Sequence, residues 1–475
     1  MSLVPVNVKW GREKYEVEVN PSEPTIVFKS KLYSLTNVVP ERQKLIAKGI
    51  TFGDESWEGI TITPGMTFML MGSVGEIPRV PVESIEVIST PEEKAREAKR
   101  IILPLGCNNL GNTCYLNSVL QVFHRLPELR RGIATPHVAR DQMMFQVFKT
   151  FKEIDGLTRL TCAAPYMLLN NLMTEYPQFA SVDANGPQQQ DANEVFMALL
   201  EKMLRVTDGN PEPGKKPRCY FKGVFSTEMK CLESETEPSI TSNEDFYQLS
   251  CFLSQEVKYI QTGIKNGLKT EISKNSPTLG RDVKWLKTEL ITRLPMYLPI
   301  QIVRFFYKEA IQTTAKILKD VKFPLVLDVF DFCSPELQNK LRPMRAAIKE
   351  QDDALIEIES KKKMMDKDEA AKLKDDGVLL PTEFPDDVGS NNSGFYDLKA
   401  VVTHKGRSVK SGHYVAWVRI RDQWVLCDDE NISFCTAEDV LKTSGGGDWH
   451  TAYILLYESR QIKKYAKPET AAQSS

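Results

Sequence analysis

The order in which two kinds of apolar pattern occur constrains the fold of this chain more than any other feature. In the C-terminal part, YLPIQIVRFFY, DLKAVVTH, HYVAWVRI, QWVLCD and AYILLYE are short runs, rich in β-branched and aromatic residues and bounded by turns. Such runs read as β-strands. Upstream the periodicity is helical: Leu116, Val119, Leu120 and Phe123 fall at i, i+3, i+4 and i+7, and Pro127 closes the pattern. A second helix is predicted after GPQQQD. There Asp191 and Glu194 have the spacing of a capping box, and Val195, Phe196, Leu199, Leu200 and Met203 form one stripe. Helices followed by strands within one large unit, residues 105–458, predict an α+β fold.

At 475 residues the chain exceeds one ordinary domain, and a second unit is predicted at residues 4–75. Val4, Val6, Val8 and Trp10 alternate, GREK turns the chain, and Tyr15, Val17 and Val19 alternate again, which reads as a β-hairpin. Phe28, Leu32 and Leu35 then fall at helical spacing before Pro40, and QKLIAKG and GMTFMLMGS supply further short strands. This order, with VPERQKLIAKGITFGDE, resembles ubiquitin-like domains. The resemblance implies a β-grasp fold with an apolar recognition patch at Ile46, Met69 and Met71. The residues alone leave each of those three as either core or surface, because strand side chains alternate between faces. Where ubiquitin ends in a Gly-Gly tail this chain runs into MGSVGEIPRVPVES, which points to a docking module and not a conjugation tag.

Proline and charge mark residues 76–104 as a linker, and a charged run at about 345–377 as a helical, solvent-exposed insertion. Residues 459–475 are expected to be a disordered tail. A net charge of -2 provides no polyelectrolyte drive toward nucleic acid or membrane, and no apolar run approaches the ~20 residues that span a bilayer. The N-terminus lacks the basic start and apolar core of a secretory signal, so a cytoplasmic and nuclear location is expected. Nine scattered cysteines suit a reducing compartment. With no C-x-x-C pair, Cys219, Cys231 and Cys251 make a poor zinc set, and no metal or other cofactor is expected.

The chemistry centres on GCNNLGNTCYLNSVLQ, residues 106–121, where a cysteine opens a helix behind a stretch of Gly and Asn. A helix N-terminus and a neighbouring imidazolium are the two common ways to favour a thiolate. Cys114 has the first of these, and Gly106 to Asn112 offer backbone and amide donors suited to an oxyanion. Among five histidines, His413 is distinguished by opening a strand after the permissive loop KGRSVKSG, whereas His124, His137, His404 and His450 have no such context. CDDE, residues 427–430, ends the next strand of a presumed hairpin, so Asp428 or Asp429 is within reach of the ring.

NNLGNTCYLNSVLQ, QQQDANEVF, SGHYVAWVR, CDDE and AYILLYE, in that order, resemble the ubiquitin-specific protease family from Leu105 to Tyr457. The resemblance implies a papain-like cysteine peptidase of thumb, palm and fingers that cleaves after the C-terminal glycine of ubiquitin. It implies Cys114 as nucleophile, His413 as base, Asp428 as orienting carboxylate and Asn109 as oxyanion donor, with Gln188, Gln189, Gln190, Asp191, Glu194 and Tyr414 lining the substrate cleft. With the N-terminal unit in front, the chain resembles the proteasome-associated branch. That implies ubiquitin and polyubiquitin chains as substrate, docking on the proteasome regulatory particle, and two loops, YKEAIQTTAK and THKGRSVKSG, beside the tail groove. Two alternatives remain open from sequence: a non-catalytic ubiquitin-binding regulator of the proteasome, and a hydrolase of another ubiquitin-like modifier.

Overall fold

A computed structural model describes residues 4–72 and 102–464, apart from 12, 37, 39, 41–42, 54–55, 58–59, 137, 159, 184–185, 211–215, 309–312, 365–376, 409–410 and 448. His137, most of the expected linker, the far part of the charged insertion and the end of the tail lie outside them. The chain divides into two compact units, Met1–Arg100 and Ile101–Ser475.

In the first unit the alternating runs form a hairpin, Val4–Trp10 with Glu13–Val19, and Val4–Trp10 also pairs in parallel with Thr67–Met71. Lys44–Ala47 and Ile50–Phe52 complete a mixed five-stranded sheet. The last strand was not legible in the sequence, being only three residues long. The helix Thr25–Thr36 covers one face, with Phe28 and Leu32 buried against Val8, Leu45, Phe68 and Leu70. Leu35, expected on that stripe, is 47% exposed: the helix buries only a narrow seam. On the uncovered face Ile46 sits opposite Met69, and Met69 and Met71 are each about half exposed (53% and 52%).

The second unit is organised by an eight-stranded sheet. Its strands run Leu249–Phe252, Tyr297–Val303, Thr451–Ser459, Phe395–Ser408, Ser411–Ile420, Gln423–Asp428 and Asn431–Cys435, with Val326–Asp328 beside Phe395–Ser408. Apolar clusters lie on both faces, and alternation assigns neighbours in one strand to different clusters: Tyr414, Ala416 and Val418 to one, Val415 and Trp417 to the other. The first cluster contains the helices Cys114–His124, Gln142–Ile154 and Ala192–Asp208. Every residue of Cys114–His124 is buried; Asn117 Nδ2, Gln121 Nε2 and His124 Nε2 find partners inside the protein, whereas Asn117 Oδ1 and Gln121 Oε1 have none among the described residues.

A four-stranded antiparallel sheet, Lys269–Ser276, Arg281–Arg293, Gly223–Cys231 and Ile240–Phe246, projects polar residues to solvent and keeps a small core of Cys231, Val283 and Trp285. The charged helix begins at Pro335, earlier than expected, and runs to Met364 with Pro343 inside it. Leu337, Leu341 and Ile348 are buried, so its first part belongs to the core and not to a solvated insertion. The expected tail also begins in structure: Ile462 is buried, and Lys463–Lys464 pairs with Val378–Leu379. No helix among the described residues is long and apolar enough to cross a membrane.

Candidate active site

The loop before Cys114 is shaped by a single carboxamide. Asn109 Oδ1 accepts from the backbone N–H of Gly111 (3.1 Å) and of Thr113 (3.2 Å), closing a turn in which Gly111 and Asn112 take left-handed backbone at φ +95° and +55°. Thr113 Oγ1 accepts from Leu110 N–H at 2.8 Å, and the helix then starts at Cys114. Buried neighbours hold that helix in the core, so the thiol enters the site from a rigid element and is itself only 2% exposed.

His413 arrives on a strand of the central sheet, one residue before Tyr414, whose backbone N–H reaches the Cys114 thiol. Asp428 Oδ1 lies 2.6 Å from His413 Nε2 at the end of the neighbouring strand. The imidazole pKa is raised from 6.5 to about 9, first by Cys114 and then by the bond to Asp428, against the opposing effect of burial. The backbone N–H of Tyr414 donates to Cys114 Sγ at 3.4 Å, a contact that favours the anionic sulfur. A thiol, an imidazole and a carboxylate gathered at one point form an arrangement able to move the thiol proton onto nitrogen and stabilise the resulting ion pair.

The two adjacent aspartates separate cleanly. Asp429 lies 4.0 Å from His413 Nε2 and its oxygens are occupied elsewhere: Oδ2 accepts from Asn109 Nδ2 and Oδ1 from Asn117 Nδ2, both at 2.8 Å. Its carbonyl accepts from Cys107 N–H at 2.8 Å, and Glu430 Oε1 from Asn109 N–H at 2.7 Å. Asp429 thus ties the nucleophile loop and helix to the turn that follows Asp428. The approach is so close that a Cβ on Gly106 would stand 2.4 Å from the carbonyl oxygen of Glu430. Asn109, expected as an oxyanion donor, spends one of its two N–H groups on Asp429.

Residues 105–457 match the family described as ubiquitin carboxyl-terminal hydrolase. The chain belongs to that family. It is 46% identical over 470 residues to ubiquitin carboxyl-terminal hydrolase 14 of Caenorhabditis elegans, covering 97% of this chain and 94% of the relative. Ubiquitin carboxyl-terminal hydrolase 7 of Arabidopsis thaliana (36%) and ubiquitin carboxyl-terminal hydrolase 6 of Schizosaccharomyces pombe (36%) are each matched over 97% of this chain and all of their own length. The chain is accordingly an enzyme, a thiol-dependent ubiquitin hydrolase.

Of the residues expected to line the cleft, Gln188, Gln189, Gln190, Asp191 and Glu194 share the wall of one pocket with Gln301, Phe305 and Tyr453. Within it, Gln189 is 3% exposed and its Oε1 lies 4.0 Å from Cys114 Sγ. Asp191 caps the helix Ala192–Asp208 through Asn193 N–H (2.6 Å) and accepts from Tyr453 O–H (2.7 Å), so both carboxylate oxygens are engaged within the protein. That cap is half of the expected box, with Asp191 as its acceptor. Tyr414 departs from expectation. Its side chain is 1% exposed because it points into the core, and it offers the site only its backbone.

Sequence reasoning missed two histidines. Strand pairing sets His404 opposite Tyr414, buried between Phe305 and Tyr414 with its Nδ1 3.1 Å from Lys316 Nζ. Burial, then Lys316, pushes its pKa down to about 3, so it is neutral. The His450 ring lies 6.2 Å from that of His413 and is also held low, at about 4, by burial and by His413. Hairpin register places His404, and the long-range pairing of His404 with Thr451 places His450. Among the described residues, the one cluster of three possible metal ligands is His413, Asp428 and Asp429.

Proposed function

We propose that this chain is a proteasome-associated deubiquitinating cysteine protease that trims ubiquitin from proteasome substrates, with Cys114 as nucleophile, His413 as base and Asp428 as the orienting carboxylate. The observation that supports these roles most directly is the His413 ring held by Asp428 at 2.6 Å while the next residue's backbone N–H reaches the Cys114 thiol. His413 takes the Cys114 proton, and the thiolate adds to the carbonyl carbon of the last glycine of ubiquitin. The second N–H of Asn109 and nearby backbone amides receive the developing oxyanion. On collapse the C–N bond breaks and His413 protonates the departing lysine amine; water, deprotonated by the same imidazole, then hydrolyses the thioester.

The five-stranded mixed sheet with one covering helix supports a β-grasp, ubiquitin-like reading of the first unit, and the face of half-buried Ile46 with exposed Met69 and Met71 supports its use as a docking patch for the proteasome regulatory particle. The helical part, central sheet and projecting four-stranded sheet fit the thumb, palm and fingers of a papain-like peptidase.

Ubiquitin carrying a C-terminal electrophile tests the catalytic reading. An adduct on Cys114, lost in Cys114→Ser, is expected; reaction only with a different modifier, or none even with proteasomes present, would overturn it. Co-sedimentation with proteasomes tests the docking reading, with Met69→Glu/Met71→Glu expected to abolish it and leave hydrolysis of a ubiquitin C-terminal amide intact.

A further inference from the structure

Away from the cleft, the second unit holds a concave pocket of about 440 Å³ whose lining contains seven cationic side chains and no carboxylate. Two elements of the catalytic apparatus build it. Arg125 ends the helix that begins with Cys114, and Arg130 and Arg131 follow on the next helix, Pro127–Ile133. Arg419 and Arg421 come from the turn joining the His413 strand to the Asp428 strand. Lys152 and Lys399 close the remaining sides.

Carboxylates around the rim offset part of this charge. Arg130 meets Asp155, Arg131 meets Glu128 at 2.6 Å, Lys399 meets Glu458 at 2.6 Å, and Arg419 approaches Asp422 at 3.7 Å. Among the described residues no carboxylate pairs with Arg125 or Lys152, and Arg125 Nε is buried without a hydrogen-bond partner. The buried His124 at the back of the pocket donates from Nε2 to Asp155 at 2.8 Å and is kept uncharged by burial and by Arg125 and Arg130. The local balance is therefore an excess of positive charge in a low-dielectric recess, next to a helix C-terminus whose partial negative charge of roughly half a unit is too small to offset it. Surface arginines that serve only solubility face outward, whereas these converge.

We propose that this recess is an anion site for a compact, multiply phosphorylated small molecule of the inositol polyphosphate class. Convergent guanidinium forks match phosphate oxygens, and the cavity has the size of a small-molecule site. A single phosphate satisfies too little of the charge, and an extended acidic peptide suits a long groove better than a compact recess of about 440 Å³. Because one wall ends the nucleophile helix and the other is the turn between the base and orienting strands, the bound anion braces these elements against each other at the end remote from the chemistry.

Calorimetric titration of the full chain with inositol hexakisphosphate, at about 150 mM salt so that diffuse surface attraction is screened, tests the site. Saturable binding of one molecule and a raised Tm are expected. Lys152→Glu/Arg419→Glu should weaken binding at least about tenfold, since each reversal removes a charge-assisted bond. The milder Lys152→Gln/Arg419→Gln gives the same direction if the reversals do not fold. Reversal of Lys269 and Lys284 on the projecting sheet should change nothing. Vesicles bearing a phosphoinositide separate a headgroup source, if they also bind, from a free one. Absence of binding, equal loss in the Lys269/Lys284 control, or equal affinity for inorganic phosphate or a polyglutamate peptide would overturn the proposal.

Discussion

The helix that carries Cys114 is enclosed on every side, whereas the strand that carries His413 reaches the same point with its ring one third exposed and its partner Asp428 43% exposed. Cys114 is thus positioned by bulk packing, and the His413 ring, on a strand flanked on both sides, by its hydrogen bond to Asp428. Asp429 joins the two regimes, since its carboxylate faces the asparagines of the first while its backbone continues the second. The contrast teaches that stability and proton transfer are assigned to different carboxylates standing next to each other in the chain.

The bluntest challenge to this division is Cys114→Ala. Turnover should fall by about 10⁴-fold or more, with the melting temperature almost unchanged, when hydrolysis of a ubiquitin C-terminal amide is followed beside calorimetry. A sharper one exchanges the carboxylates. Asp428→Asn should lower kcat by about 10²- to 10⁴-fold and move the His413 titration toward 6.5, as read by NMR, without loss of stability. Asp429→Asn should instead destabilise by about 1–3 kcal/mol through the unfastened asparagines. Similar activity and stability profiles for the two variants would erase the distinction. Asn109→Ala touches both regimes: a loss in kcat of about 10²- to 10³-fold is expected for an oxyanion donor, accompanied by a lower melting temperature because the same side chain shapes the loop.

Gly106→Ala probes the seam between the two sides. Its Cβ would meet backbone atoms and not a movable side chain, so denaturant titration should register about 1–3 kcal/mol of destabilisation. The smallest effect is that of pH. The folded-state pKa of His413 is raised, so its stabilising contribution is complete below pH 6.5 and disappears as the pH rises through about 9. The urea midpoint of the wild type should approach that of His413→Ala across this window; a constant gap between them would show that the imidazolium does not contribute.

The strands and both principal helices were legible because their apolar residues repeat at a period that only one structure satisfies. Cys114 stood out by the glycine and asparagine before it, and His413 by the loop it follows. The choice between Asp428 and Asp429 was not legible from local chemistry, because it depends on which of two neighbours turns toward a ring and which takes φ +47°. His404 and His450 were hidden for a related reason: hairpin register brings His404, and the long-range pairing of His404 with Thr451 brings His450, to the side of His413. The projecting sheet was silent because Ile240–Phe246, exposed at six of seven positions, carries almost no alternation to read. Leu35 misled in the opposite sense, an apolar residue at helical spacing on a face that nothing covers.

The central sheet acts as a septum between two cores, with Tyr414 and Ala416 belonging to one side and Val415 and Trp417 to the other. Deleting a single residue inside that strand would exchange the occupants of both compartments at once, an error that no repacking of either side repairs. An insertion at a hairpin tip, by contrast, lies outside the paired strands and leaves the occupants of both compartments as they are.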